Sequence, residues 1–271
     1  MTDSPKRWRL NKDSLKKVCD ENLVKAFGSV ADMVPGGVFE KAGGVAIART
    51  GIPGFNMAFA LGGPFSPLAA SRAIRRLYSK DRFPWSLVTT PNTSRAMKPL
   101  IRRFGMARSS IEPCMVLSPI PRLCPPPPDT LNIRRVKDRD ELLTFARTGA
   151  SAFGMPAPNL DVLADGLADG IRDGSFRGGC YLGYYNGKPV ATSLRYTSGL
   201  VAGVYFVATA KRYRRRGIGE AMTWRAAVDG RKEKCVISAL QASEMGRPVY
   251  KGMGYRKVQD YQIWRPGVSD T

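Results

Sequence analysis

The 271-residue sequence contains no histidine. No imidazole is therefore available as a base, proton shuttle or metal ligand, and Ser-His-Asp and Cys-His chemistry are excluded. The five cysteines, Cys19, Cys114, Cys124, Cys180 and Cys235, are odd in number, far apart and without a CxxC pair. They suit neither a zinc ribbon nor a disulfide framework, so the expectation is reduced thiols, no metal and a cytoplasmic protein. No apolar run reaches the ~18 residues that a membrane-spanning helix needs. The N-terminus, MTDSPKRWRLNKDSLKK, lacks the apolar centre of a secretory signal. Acidic side chains are scarce as well, 22 against 43 basic ones, giving a net charge of +21. Both halves are basic, with 20 basic against 9 acidic residues in 1–130 and 23 against 13 in 131–271. Such a field attracts phosphate-bearing ligands and gives nonspecific contact with nucleic acid, without choosing between them.

Hydrophobic residues at 43% and charged residues at 24% are ordinary for a globular chain, and the length suggests about two domains. Six prolines in PIPRLCPPPPDT (119–130) make an extended spacer between 1–118 and 131–271. After it, LNIRRV reads as a strand and 138–153 as a helix. A second helix follows from Leu160, with Leu163, Leu167 and Ile171 at helical spacing. Residues 178–209 hold strand material with a hairpin signal at Asn186-Gly187. A helix over 219–234, a strand over 236–243, a short helix over 244–253 and a closing strand over 256–264 complete the half. This order predicts a mixed, largely antiparallel α/β sheet.

The most informative stretch is VAGVYFVATAKRYRRRGIGEAMTWRAAV (201–228), where an apolar strand feeds a basic loop and then a helix. Glycines at 217 and 219 let successive N–H groups turn toward one centre, and the helix N-terminus adds partial positive charge. Together they cradle a diphosphate. Arg214-Arg215-Arg216-Gly217-Ile218-Gly219 carries the pattern Q/R-x-x-G-x-G/A, and Tyr250-Lys251-Gly252-Met253-Gly254-Tyr255 follows downstream. On these two motifs, residues 131–265 resemble the GNAT N-acetyltransferase superfamily.

The resemblance implies a GNAT fold, acetyl-CoA as cosubstrate and an amine acceptor. It implies that backbone groups of Val207, Ala208 and Thr209 pair with the pantetheine arm. Arg215, Arg216, Gly217, Ile218, Gly219 and Glu220 would hold the diphosphate through their amides. Ser243 lies where many relatives have an asparagine that touches pantetheine, and Tyr250 where the phenol protonating the leaving thiolate sits. The strand Val204-Tyr205-Phe206-Val207 lacks the glutamate that many relatives use to deprotonate the acceptor, so the base is unassigned, with Glu244, Asp161 and Asp165 as candidates. The loop and helix AFGMPAPNLDVLADGL (152–167) fall where the family sets acceptor choice. The alternative is a non-catalytic protein on the same scaffold, sensing acyl-CoA or binding RNA or ribosomes through its charge.

The first half repeats the order of elements: a helix over 12–33, strands in GGVAIART and FNMAFALGG, a helix over 67–78, then WSLVTT and SRAMKPLIRRFGM. Aligning 89–107 with 240–258 sets Gly105 opposite Gly254, Pro99 opposite Pro248 and Ile101 opposite Tyr250. The loop Gly62-Gly63-Pro64-Phe65-Ser66-Pro67 has no arginine, and its two prolines lack amides. Residues 1–118 therefore read as a degenerate, non-catalytic GNAT-like copy in tandem with a catalytic one.

Overall fold

The computed structural model describes residues 10–79, 84–156 and 158–266. The N-terminal residues 1–9, part of the stretch compared with a secretory signal, and residue 157 of the acceptor loop lie outside them. The first half runs α1 (Lys12–Met33), β1 (Val38–Ala42), β2 (Val45–Arg49), β3 (Met57–Ala60), α2 (Pro67–Tyr78), β4 (Ser86–Thr89), α3 (Pro91–Ala96), α4 (Lys98–Arg103) and β5 (Met106–Leu117). The second runs β6 (Leu131–Val136), α5 (Arg139–Phe153), α6 (Leu160–Asp173), β7 (Gly178–Tyr185), β8 (Lys188–Ser198), β9 (Val201–Thr209), α7 (Ile218–Lys232), β10 (Ile237–Gln241), α8 (Arg247–Gly252) and β11 (Arg256–Pro266).

Helix ends follow local chemistry. Asn11 Oδ1 accepts the Ser14 N–H at 2.8 Å, Asp138 accepts that of Glu141 at 2.9 Å, and Thr90 with Thr93 forms a reciprocal capping box. Gly154 ends α5 in the left-handed conformation, at φ 66°.

Among the described residues, the eleven strands form one sheet in the order β1-β2-β3-β4-β11-β5-β10-β9-β8-β7-β6. The halves exchange strands. β11 lies between β4 and β5, and β5 lies between β11 and β10, antiparallel to both. Around the long β5–β11 pair the order reads alike in both directions. On each side an antiparallel strand precedes a parallel pair, β3 with β4 and β9 with β10. The strand expected to close the sheet therefore sits at its middle.

β1 and β5 carried no sequence assignment. β5 reads MARSSIEPCMVL, in which alternation fails over Arg108–Ser110 and a proline interrupts the run. Pro113 is tolerated because the position of its missing N–H, on the same side as the carbonyl that accepts from Ala242 N–H at 3.0 Å, falls just beyond the last residue of β10. Helix α8 starts at Arg247 rather than 244, because Ser243 Oγ accepts the Gly246 N–H in a turn that precedes it.

On one face α1, α5 and α6 share an apolar cluster that includes Ala26, Val30, Leu142, Phe145, Leu163 and Leu167. The other face is covered by α7 and α8 on the second half and by α2 and α4 on the first. Polar ties reinforce the junction of the halves. Buried Asn22 of α1 donates to Ser198 Oγ at 2.8 Å and accepts from Tyr205 Oη at 2.6 Å, so α1 grips β8 and β9. Gly203 is required there, since a Cβ would stand 2.0 Å from Asn22 Oδ1. Asp20 Oδ1 accepts from Tyr261 Oη and Gln259 Nε2, both at 2.5 Å, binding α1 to β11. Within the second half, fully buried Arg195 makes a bidentate pair with Glu233, each contact 2.5 Å. No helix among the described residues is long and apolar enough to cross a membrane, and none of their acidic and cysteine side chains gather as a metal site.

Candidate functional site

β9 and β10 pair in parallel only at Val201–Gly203 against Ile237–Ala239. Beyond that point the strands diverge, and the stretch 204–209 has no partner on the β10 side. The divergence coincides with a bulge against β8. Thr192 pairs with Ala208 and Leu194 with Tyr205, so one residue of β8 faces two of β9. Phe206 takes the strained φ of +51° at this bulge, its carbonyl held by Thr192 Oγ1 at 2.9 Å. Its ring is clasped by Phe55, Phe145 and Phe153 at centroid distances of 5.3–5.8 Å. Gly149 makes the room, for a Cβ there would lie 2.0 Å from the ring.

Past β9, a single 3-10 turn at Lys211–Tyr213 leads through Arg214–Gly217 into α7. Arg215 at φ 62° and Gly217 at φ 72° are left-handed, which curls the chain back on itself. No side chain caps α7, so its first-turn N–H groups face outward without intrahelical partners. Gly219 borders open space, the nearest atom to a Cβ being Thr209 Oγ1 at 3.7 Å. The arginines do less than a uniform positive field implies. Arg214 donates to Thr209 O at 3.0 Å and Ala152 O at 2.9 Å, and so holds the loop against α5. Arg216 stacks on Tyr185 and Tyr213, its guanidinium 5.3 and 5.8 Å from the ring centres. Ile218 is buried in the core under α7, and Glu220 accepts weakly from Trp224 Nε1 at 3.4 Å.

Behind the divergence lies a cavity of about 300 Å³. Val207, Ser243 and Tyr250, separate in sequence, line it together. Ala208 is buried and Thr209 half-buried on the strand that leads from it to the loop. Burial raises the Tyr250 phenol above its ordinary pKa, against a hydrogen bond with Thr223, so it is held protonated. Its ring occupies the space that a Cβ on Gly246 would need.

Residues 132–258 match the family model described as acetyltransferase (GNAT) domain. Residues 132–258 form a GNAT acetyltransferase domain. Among solved structures, the chain is similar to a GCN5-related N-acetyltransferase from Kribbella flavida, 17% identical, covering 94% of this chain and 96% of that one at a TM-score of 0.65. A GCN5-related N-acetyltransferase from Sphaerobacter thermophilus is 16% identical, covering 82% and 76% at a TM-score of 0.56. At these identities the likeness is one of fold, and it extends over both halves. No curated protein sequence matches the chain.

The acidic candidates from the sequence do not reach this cavity. Asp165 pairs with Arg139 at 2.6 Å, Asp161 and Glu244 are exposed, and none of the three lines it. The carboxylate that does is Glu112, from β5 of the first half. Burial pushes its carboxyl above the usual range, opposed by the Ser110 hydroxyl at 3.3 Å and by Arg265. Sequence reasoning missed it because β5 itself was not legible and because exchange of strands places it beside the second half. The first half supplies further wall: Phe27, Val30, Gly54 and Phe55 line the cavity, and Asn159 Nδ2 at the start of α6 donates to Gly51 O at 3.2 Å.

Proposed function

We propose that the protein is an acyl-CoA-dependent N-acyltransferase, using acetyl-CoA and an amine acceptor. The observation that carries this reading is the parting of β9 from β10 between an uncapped, glycine-bearing helix start and a buried protonated tyrosine. Acetyl-CoA fits that arrangement by its shape and charge, and supplies the activated acetyl group as a thioester. On the side that β10 has left, backbone groups of Val207, Ala208 and Thr209 would pair with its amide-bearing arm as a neighbouring strand would. Amides from Arg215 to Glu220 would hold the diphosphate. Ser243, already accepting from Gly246, would give at most a hydroxyl contact. Tyr250 would donate its proton to the departing sulfur, a role that suits a phenol because the acid form is neutral.

The proposal assigns the acetyl-CoA site and the acid Tyr250 to 131–271, with 119–130 as linker and 1–118 as a degenerate GNAT-like copy. The first copy acts as support and cleft wall. Unpaired thiols suit a reducing, cytoplasmic setting. A sensing or RNA-binding role on the same scaffold would need no buried acid at the wall of the cavity beside the divergence. The test is calorimetric binding of acetyl-CoA together with thiol release in the presence of amines, amino acids, polyamines and peptides. Binding with turnover is the expected result, and absence of acetyl-CoA binding would overturn the reading.

A further inference from the structure

The cavity behind the diverging strands differs sharply from the protein around it. The chain carries +21, yet among the described residues lining this cavity the only charged side chain is Glu112. The remainder of the far wall is apolar and aromatic: Phe27 and Val30 from α1, Phe55 before β3, Phe153 and Met155 at the end of α5, and Phe206 at the bulge. Phe27 and Phe55 stand 6.2 Å apart by ring centres and Phe55 and Phe206 5.8 Å, so the rings form one continuous surface. The Tyr205 hydroxyl is committed to Asn22, which leaves its ring as part of the wall.

Resting on the acyl-transfer reading above, we infer that Glu112 receives the acceptor's ammonium group, and that the acceptor is a primary amine on a neutral, apolar body of aromatic size. A carboxylate or phosphate on the acceptor would find no cation in the lining and would be repelled by Glu112. A polyamine would bury its remaining charges against phenylalanine rings with no partner, which is costly. A neutral ring bearing one amine satisfies both parts of the wall.

The proton and electron balance is complete with these groups. Glu112 takes one proton from the ammonium, and the freed lone pair forms the C–N bond to the thioester carbon. The C–S bond breaks with its electrons on sulfur, which takes the Tyr250 proton. The second proton lost by nitrogen restores the Tyr250 phenol, and Glu112 releases its own proton to solvent. Burial favours a carboxyl basic enough for the first transfer. The polar and titratable groups that face Glu112 across the cavity or along the sheet are Ser110 on its own strand, Tyr261 and Arg265 on β11, Gln241 on β10, Ser243 after it, Tyr205 on β9 and Tyr250 on α8.

The experiment uses the full chain with acetyl-CoA and compares 2-phenylethylamine, phenylalanine and spermidine by thiol release, with acetyl-CoA binding followed by calorimetry. The expected kcat/KM for 2-phenylethylamine exceeds those for phenylalanine and spermidine by at least tenfold. Glu112→Gln should lower kcat/KM about 100-fold, abolish the acidic limb of the pH–rate profile and leave acetyl-CoA affinity unchanged, while Glu112→Asp recovers part of the rate. Preference for phenylalanine or spermidine, full activity of Glu112→Gln, or acetyl-CoA binding without turnover of 2-phenylethylamine would overturn the inference alone. Failure of the unsubstituted chain to bind acetyl-CoA would instead overturn the acyl-transfer reading beneath it. The substrate comparison needs no variant, so a folding failure in Glu112→Gln leaves the inference open to refutation.

Discussion

The two halves of the sheet trace the same path and end differently. In the second, β9 leaves β10 after three paired residues and bulges at Phe206 against β8, so that 204–209 has no strand on the β10 side. In the first, β3 and β4 stay paired over all four residues, Met57–Ala60 with Ser86–Thr89, and β2 meets β3 without a bulge. The turn regions diverge in the same sense. Around Gly217 the helix start is uncapped, whereas Ser66 caps α2 and gives its own amide to Gly43 O at 3.0 Å. The chain also fills the space there, since a Cβ on Gly44 would lie 2.3 Å from Pro64 O. Helices α4 and α8 are both six residues long with proline second, but their fourth residue is Ile101 in one and Tyr250 in the other. An open strand edge is thus made by withholding pairing, and closed by completing it.

The largest effect is expected from separating the halves. A chain of residues 129–271 lacks β5 and would expose the edges of both β10 and β11. It should associate or fail to fold, as light scattering and size-exclusion chromatography will report. A monomeric fragment with full activity would refute the interlocked arrangement. Next, Tyr250→Phe should lower kcat by ~10²–10⁴ with little change in acetyl-CoA affinity. Single-turnover rates are the proper measurement, because slow product release could mask the step.

The grip of α1 on β11 predicts a pH effect of about 3 kcal/mol. Burial raises Asp20 from the ordinary 3.8 to about 6, so the folded state binds its proton more tightly than the unfolded chain. Its contribution is complete below pH ~4 and is lost as pH rises through about 6. Denaturation of the unsubstituted chain and Asp20→Asn at pH 4 and 7 should show their stability difference shifting toward the variant at pH 7. A pH-independent difference would mean that Asp20 is solvated in the folded chain.

Gly219→Leu should weaken acetyl-CoA binding at least tenfold, about 1.4 kcal/mol. The site around Gly219 is open, so stability should hold while affinity falls. Stoichiometry sharpens the comparison further: one equivalent per chain is expected, and two would show that the zipped first half also binds. The smallest effect is weak, salt-sensitive association with nucleic acid of any sequence, measurable by fluorescence anisotropy across a salt series. Tight, selective binding at physiological salt would favour the non-catalytic reading.

Much of the fold was legible because its signals are local. Helix α1 follows from the spacing of Leu15, Val18, Leu23, Phe27 and Val30, the β7–β8 hairpin from Asn186-Gly187, and the start of α7 from Gly217-Ile218-Gly219 after an apolar strand. β5 was not legible, because Arg108–Ser110 break its alternation and Pro113 argues against a central strand when the end of β10 is unknown. Glu112 was lost with it. The arginine run suggested a further positive field from its side chains, yet Arg214 is held by the carbonyls of Thr209 and distant Ala152, and Arg216 lies on the rings of Tyr213 and distant Tyr185.

By itself the sequence determined the local elements, the glycine-bearing helix start and the tyrosine motif, because backbone conformation at caps, turns and glycines depends on neighbouring residues. Tertiary structure alone decided the exchange of β5 and β11, the parting of β9 from β10 and the company of Glu112 with Tyr250. Strand partners and buried side chains are chosen by long-range packing, and no spacing along the chain encodes which edge another strand will take.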